Sequence, residues 1–468
     1  MFLCENVELS SVMLQDDNTT LTYNDALDFS KEFCSHITPR DLLFILCSNT
    51  MGSVLGYISA LSNKTIPVLI SSSIDKELFK KLYNLYTPAY IFVDDYNLDR
   101  LDLLKEDISF KLFSYSLIKT GNSSFKVDDE LALLMSTSGS TGSPKLVRLS
   151  YKNLIANASS IKEFLNLSNN ERAITSLPMN YSYGLSVINS HLLSGARIVL
   201  TDSSYIQKDF WELFRKTECT SFTGVPFTYE ILKKIRFSRM NLPSLKYMTQ
   251  AGGRLSKELH QEFAQLLNDK NLKFYVMYGS TEATARMSYL PCEESLSKIG
   301  SIGIAIPGGK FTIKDDYGNV ICVPNKAGKL YYSGDNVFLG YASEKSDLIK
   351  KDENKGELYT GDIASFDEDG YYYITGREKR FLKIYGNRVN LDECEQLLKK
   401  KFSNFDVACC GKDDHMVIYV GLPMKDTDMI KFISEKTGLN MKAFSIKWIS
   451  EIPRNASGKI EYAKLLEE

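Results

Sequence analysis

From residue 20 to about 130, short apolar runs alternate with stretches in which apolar positions recur every three or four residues. The runs predict strands and the periodic stretches predict helices. Thr22 is placed to cap a helix running through Phe33, and Asp25 three residues on completes a capping-box-like start. Leu42 to Cys47 is apolar throughout and predicts a buried strand. Met51, Val54, Leu55, Ile58 and Leu61 share one helical face, followed by a strand from Ile66 to Ile70, a helix from Asp75 to Tyr86 and a strand from Ala89 to Val93. Strand alternating with helix predicts a parallel sheet.

The alternation resumes after an apolar run at Leu131 to Met135 and a β-like Leu146 to Leu149. Ser150 is placed as the N-cap of a helix carrying Leu154, Ile155, Ala158, Ile161 and Leu165. Then come a strand at Arg197 to Leu200, a helix near Phe210 to Arg215, a strand at Ser221 to Pro226 and a helix from Phe227 to Ile235. Leu245 to Met248 and Lys273 to Met277 are short strands that each end in a polar or glycine-bearing turn. Open α/β sheets bind their ligands at such carboxyl ends. From about 299 to 375 the pattern changes to short β segments between glycine turns, at Lys310 to Ile313, Lys329 to Tyr332 and Tyr371 to Ile374. Beyond 379 it mixes strands (Phe381 to Ile384, Asp406 to Cys410, Met416 to Val420) with helices (Leu391 to Phe402, Thr427 to Lys436). The expected class is therefore α/β. A large N-terminal domain, residues 1–378, would hold βαβ subdomains and a β-rich subdomain, and a small α+β domain would follow at 379–468.

Composition narrows the functional classes. A chain of 468 residues exceeds what one hydrophobic core organises. Its net charge of −2 offers no basic excess to displace counterions, which argues against nucleic acid as a partner. The nine cysteines form no C-x-x-C pair, and Cys409-Cys410 lies in an apolar run, a pattern that fits buried thiols in a reducing cytoplasm. The four histidines have no ligand spacing, so zinc is not expected. Neither a basic start before an apolar core nor a continuous apolar span of transmembrane length is present, so no signal peptide and no membrane insertion are expected.

The stretch with the strongest chemical signal is Ser136-Thr137-Ser138-Gly139-Ser140-Thr141-Gly142-Ser143-Pro144-Lys145. Small and turn-forming residues in such a row contribute no core volume, but they can wrap an anion. Glycines free the backbone so that N–H groups converge, hydroxyls add donors, and Lys145 adds a positive charge. A Ser/Gly linker is the competing reading, and it fits poorly between two β-like apolar segments. A Walker A loop would need glycine before the lysine and Ser/Thr after it, where Pro144 and Leu146 stand.

Three further stretches can carry chemistry. In Tyr278-Gly279-Ser280-Thr281-Glu282 an aromatic face can stack on a base, Thr281 can donate to a phosphate and Glu282 offers an oxygen ligand suited to Mg²⁺. By itself the pentapeptide reads equally as a turn with a solvated glutamate. Upstream, Gln250-Ala251-Gly252-Gly253 lets backbone approach a planar group, or is simply a tight turn. Tyr359-Thr360-Gly361-Asp362 with Gly376-Arg377 supplies a carboxylate for ribose hydroxyls and an arginine to bridge ribose and phosphate. Pro453-Arg454-Asn455-Ala456-Ser457-Gly458-Lys459 offers a lysine that can meet charge developing on phosphorus. Alone, a lysine so near the end reads as solvated.

In order and approximate spacing, these four signatures resemble the core motifs of the adenylate-forming superfamily, which includes acyl-CoA and aryl-CoA synthetases, adenylation domains and luciferase. The resemblance spans roughly residues 20 to 462. It implies an acetyl-CoA synthetase-like fold with a mobile C-terminal domain, and it implies ATP and Mg²⁺ as requirements. Thr137, Ser138, Gly139, Ser140, Thr141, Gly142 and Lys145 would hold the β- and γ-phosphates. Gln250, Ala251, Gly252, Gly253, Tyr278 and Gly279 would line the adenine site. Thr281 and Glu282 would serve the α-phosphate and the metal, Asp362 and Arg377 the ribose. Lys459 would be the adenylation lysine and Lys379 the hinge between two half-reactions, with the loop Lys383 to Arg388 facing the incoming thiol in the second.

The acid site is read from Leu177-Pro178-Met179-Asn180-Tyr181-Ser182-Tyr183-Gly184-Leu185 together with Val225. Many acyl- and aryl-CoA synthetases carry histidine where Tyr181 stands, and amino-acid-activating domains usually place an aspartate here. Without that aspartate a buried substrate ammonium would lack its counter-charge. Asn180, Tyr181, Tyr183 and Gly184 suit a small hydroxy, aryl or short acyl acid, unless the tyrosines are plain core. Tyr462 stands where the family often has arginine, which leaves CoA and the phosphopantetheinyl thiol of an acyl or peptidyl carrier protein as alternative acceptors. The resemblance thus implies a ligase, acting as a monomer or homodimer. A nucleotide-binding scaffold without turnover is the alternative of another class.

Overall fold

The computed structural model describes residues 2, 4, 7–103, 107–136, 145–378, 380–385, 387–421, 426–455 and 458–467. Packing divides them into two compact units, Met1–Lys310 with Ser333–Leu358, and Phe311–Tyr332 with Tyr359–Glu468. The β-rich segment thereby groups largely with the C-terminal residues.

The first unit is built on two mixed sheets. In the eight-stranded sheet Leu42–Cys47 is buried along its whole length. Its neighbours Ile66–Ser71 and Tyr90–Asp94 run parallel to it, and Leu131–Ser136 runs parallel to Ile66–Ser71. The edges turn antiparallel: Leu146–Ser150 and Gly340–Ala342 at one side, Tyr115–Lys119 and Ile108–Leu112 at the other. The expected parallel sheet is thus the centre of a mixed one. The nine-stranded sheet places Arg172–Ile174, Ser221–Gly224, Tyr247–Gln250 and Lys273–Tyr278 side by side and parallel. Their carboxyl ends therefore lie at one edge, the position that binds ligands in such sheets.

Local signals set the helices. Thr22 and Asp25 form a reciprocal capping box at the start of Tyr23–Cys34, and Ser150 with Asn153 does the same for Tyr151–Leu165. Ile155, expected on the apolar face, is exposed. Two helices, Met51–Ser62 and Ser182–Leu193, are buried nearly all round; the first is apolar or small on every face, while the second also buries serines, an asparagine and a histidine. The second of these was not anticipated, because it has no side-chain cap and no helical period to find. The helix Lys257–Asp269 and the strands Ile108–Leu112 and Tyr115–Lys119 are additions to the expected elements.

The second unit contains most of a four-stranded sheet, from strands Gly309–Lys314, Gly328–Gly334, Glu357–Phe366 and Tyr372–Arg377. Beyond it lie a hairpin of Phe381–Ile384 with Asn387–Asn390 and a three-stranded sheet of Val407–Lys412, His415–Val420 and Phe444–Trp448. Cys409 and Cys410 are buried in that last sheet. Among the described residues no helix is long and apolar enough to cross a membrane.

Candidate active site

Strand Lys273–Tyr278 ends at Tyr278, and the chain then makes a single 3-10 turn over Thr281–Ala283. Gly279 permits that turn: a Cβ there would stand 1.8 Å from the carbonyl oxygen of Ala285. Thr284 holds a φ of 65°, rare for a β-branched residue. Its hydroxyl donates to the carbonyl of Asn336 at 2.7 Å, while the Asn336 amide donates to the carbonyls of Ala283 and Arg286 at 2.9 and 3.1 Å. The turn is therefore pinned from both sides, and Thr281 and Glu282 sit on a rigid support.

Thr281 is buried, and its hydroxyl shares a 3.1 Å hydrogen bond with that of Ser182. Glu282 accepts at Oε1 from the Tyr341 hydroxyl at 2.8 Å, and its own carbonyl accepts from the Phe338 amide at 2.9 Å. Lys145 Nζ lies 3.5 Å from the centroid of the Tyr341 ring. One aromatic side chain thus joins the lysine that closes the small-residue loop to the candidate metal carboxylate. Strand pairing makes this possible, because Tyr341 stands opposite Val147, two residues beyond Lys145. Burial pushes the Tyr341 phenol well up, and the Glu282 charge adds to the shift, so the hydroxyl stays a donor. Tyr341 was not read from the sequence, where a lone tyrosine after a glycine carries no signal. Thr137, Ser138, Gly139, Ser140, Thr141 and Gly142 lie outside the described residues, as does Lys379.

Gln250 ends its strand with its amide donating to the carbonyls of Ala251 and Gly253, at 3.2 and 3.0 Å. It braces the turn that follows. Gly252 there has φ 83°, and a Cβ on it would stand 2.4 Å from the Tyr181 hydroxyl and 3.1 Å from Val225. Gly252, Tyr181 and Val225 are therefore brought together, with Asn180 beside them in sequence. Tyr183 is different. It is buried, its ring edge-on to Tyr181 at 6.3 Å, and its hydroxyl donates to Thr249 Oγ1 at 2.9 Å. Its polar tip is thus committed inside the core. Gly184 is buried as the third residue of the helix Ser182–Leu193.

In the second unit Asp362 and Arg377 face each other across paired strands, with Arg377 Nε 3.1 Å from Asp362 Oδ1. Asp362 is buried and Arg377 mostly exposed. Lys459 is presented by a closed turn. Its amide donates to Asn455 Oδ1 at 3.0 Å, Asn455 N donates to its carbonyl at 2.9 Å, and Gly458 takes φ 73°. Arg454 staples the turn, donating to the Gly458 carbonyl at 3.1 Å and to both carboxylate oxygens of Asp406 at 3.0 and 2.9 Å. Tyr462 turns inward. Its hydroxyl donates to Glu395 at 3.0 Å, and the Arg380 guanidinium lies 3.6 Å from its ring centroid.

Comparison with known proteins bears on the family and the fold. A family model described as AMP-binding enzyme matches residues 5–342. Luciferin 4-monooxygenase of Nipponoluciola cruciata is 27% identical over 348 residues, covering 71% of this chain and 62% of that protein. The medium-chain fatty-acid–CoA ligase of Escherichia coli (strain K12) is 28% identical over 347 residues, 71% of this chain and 60% of its own length. The matched stretch thus spans less than two thirds of either relative. Among solved structures, o-succinylbenzoate coenzyme A synthetase from Bacillus subtilis, in complex with ATP and magnesium ion, superposes with a TM-score of 0.79 at 21% identity. That superposition covers 98% of this chain and 97% of the other, and it establishes a shared fold.

Proposed function

This chain belongs to the AMP-binding enzyme family, and we propose that it activates a small carboxylic acid with ATP and then transfers the acyl group to a thiol, CoA foremost. The observation that carries the reading is the Lys145–Tyr341–Glu282 contact, which ties a lysine at the exit of a small-residue loop to a carboxylate on a pinned turn.

In the first half-reaction a substrate carboxylate oxygen attacks the α-phosphorus and the bond to pyrophosphate breaks, leaving an acyl-adenylate. Lys145 and the loop before it hold the outer phosphates, and Thr281 orients the α-phosphate. Lys459 supplies positive charge as negative charge grows on phosphorus, an interaction stronger in the transition state than in the ground state. Asp362 takes the ribose hydroxyls, with Arg377 beside it. The Glu282 carboxylate, held by Tyr341, is an oxygen donor that fits a hard cation, so Mg²⁺ would be held there and would offset phosphate charge. In the second half-reaction a thiolate attacks the acyl carbon and AMP leaves. No protein nucleophile is required. Lys379, at the start of a C-terminal domain 379–468, is proposed as the pivot between the two steps.

A carrier-protein thiol is the second reading of the acceptor. It is favoured by Tyr462, whose inward commitment to Glu395 and Arg380 offers no cation to the phosphates of CoA. The test is pyrophosphate release from ATP and Mg²⁺ across aryl, short acyl, hydroxy and amino acids, each with and without CoA. Release with one acid class, accelerated by CoA, is the expected result. ATP binding without release for any acid would overturn the ligase in favour of a silent scaffold.

A further inference from the structure

Four residues beyond Glu282 the chain carries Arg286, and its side chain is 2% exposed. Its backbone is well anchored, since its carbonyl accepts from the amides of Asn157 and Asn336 at 2.9 and 3.1 Å. Its guanidinium is not. Nε and Nη1 are buried with no hydrogen-bond partner among the described residues, and no ion pair there involves Arg286. The guanidinium carbon stands 5.1 Å from the centroid of the Tyr183 ring, the residue edge-on to Tyr181 in the candidate acid site.

The groups around it cannot supply the missing charge. Tyr183 gives its hydroxyl proton to Thr249, which shares a 3.0 Å hydrogen bond with Thr223. Tyr247 pairs with His191 Nε2 at 3.3 Å, and His191 Nδ1 contacts the Val187 carbonyl at 2.7 Å. These residues are neutral and spend their hydrogen bonds on one another. An arginine stays protonated in any protein environment, and a buried cation without a counter-ion is costly. A planar fork with open N–H groups has one well-matched partner, a carboxylate that accepts side by side.

We infer that Arg286 binds a second carboxylate on the substrate, so that the acid activated by this chain is a dicarboxylic acid. This rests on the reading of the chain as an acid-activating enzyme. One carboxylate of the substrate reacts near Thr281 and Glu282, and the other meets the guanidinium beside Tyr183. An apolar monocarboxylate would leave the cation unpaired, which discriminates against it, as any site with a buried polar group left empty does.

The experiment compares succinate, glutarate, adipate and phthalate with butyrate, valerate, hexanoate and benzoate, by pyrophosphate release and by the acid-induced shift in melting temperature with ATP present. The unaltered chain is expected to prefer at least one diacid over its monoacid partner by tenfold or more in kcat/KM. Arg286→Gln should cut that preference at least tenfold while leaving the KM for ATP within threefold. Arg286→Lys, which keeps charge but not the fork, should fall between and covers the case in which the glutamine variant does not fold. Equal use of the paired acids, or an undiminished diacid preference in Arg286→Gln, overturns the inference. If no acid elicits pyrophosphate, the ligase reading falls and the melting shift decides. A shift by a diacid that Arg286→Gln abolishes supports the second-carboxylate site, and its absence or its persistence in the variant overturns it.

Discussion

Replacing Tyr341 with Phe removes one oxygen and leaves the ring where Lys145 meets it. The lost contact is the 2.8 Å hydrogen bond to Glu282 Oε1, while the lysine keeps its place 3.5 Å from the ring centroid. A hydrogen bond to a charged acceptor is worth about 1.5–3 kcal/mol, and these partners are only half-buried, so the lower end applies. That converts to about a tenfold loss in affinity for ATP with Mg²⁺. Tyr341→Ala also discards the cation–π contact, about 0.5–2 kcal/mol more, and should weaken binding by roughly a further two- to thirtyfold. Isothermal titration calorimetry of ATP in the presence of Mg²⁺ reads both. A double-mutant cycle with Glu282→Gln should give a coupling of about 1 kcal/mol, since the two residues act through one hydrogen bond. Tyr317→Phe, on an exposed turn, is the control that should change nothing. A Tyr341→Phe protein within twofold of the unaltered chain, with additive energies in the cycle, would refute the idea that Tyr341 holds the carboxylate in its working orientation.

Lys459→Ala should abolish adenylate formation while ATP affinity stays within a few-fold, measured by pyrophosphate release and calorimetry; full adenylation by the variant would remove Lys459 from the mechanism. Lys379→Pro should spare the first half-reaction and block the second, read by following pyrophosphate and thioester separately. Gly252→Ala sets a Cβ 2.4 Å from the Tyr181 hydroxyl at a φ of 83°, so it should cost about 1–2 kcal/mol in a thermal melt and raise the KM for the acid. Acid should destabilise the fold through His191 and His260, both buried and both held down from 6.5 to about 4, chiefly by burial. A histidine with a lowered folded pKa takes up its proton on unfolding, so stability is intact above pH 6.5 and drains away toward pH 4. At 1.36 kcal/mol per pKa unit that is about 3 kcal/mol for each. His191→Gln should flatten part of that loss in denaturant titrations between pH 7 and 4.5, and an unchanged slope would count against the assignment.

What could be read from the residues follows how local each cause is. The strand Leu42–Cys47 and the helices capped by Thr22 and Ser150 were legible because the apolar run or the capping pair lies within a few residues. Lys257–Asp269 carries a signal of the same kind, with Ser256 as cap and Leu259, Phe263 and Leu267 at helical spacing. Ser182–Leu193 has no such signal. Buried on nearly every side, it shows no face, and only the surrounding structure accounts for its serines and asparagine in the interior. The antiparallel edges of both sheets depend on pairing between distant segments, and no spacing rule announces Gly340–Ala342 lying against Leu146–Ser150.

The candidate site divides along the same line. Motif residues were legible because several types recur together within a few positions, as in Tyr278 to Glu282. Tyr341 was not, since the glutamate it serves is 59 residues away and nothing in its own neighbourhood marks it. Arg286 is the sharper case. In sequence an arginine at that place reads as a surface residue, because burial of charge is rare without a partner. The fold reverses that reading: its turn is pinned through Asn336, its carbonyl is tied to Asn157, and its guanidinium is left among hydroxyls that already have partners. A buried charge with no counter-charge among the described residues is matched by what the chain binds. The second carboxylate proposed for the substrate is thus inferred from a contact that is missing among the described residues, which only the three-dimensional account of the neighbouring donors and acceptors brings to view.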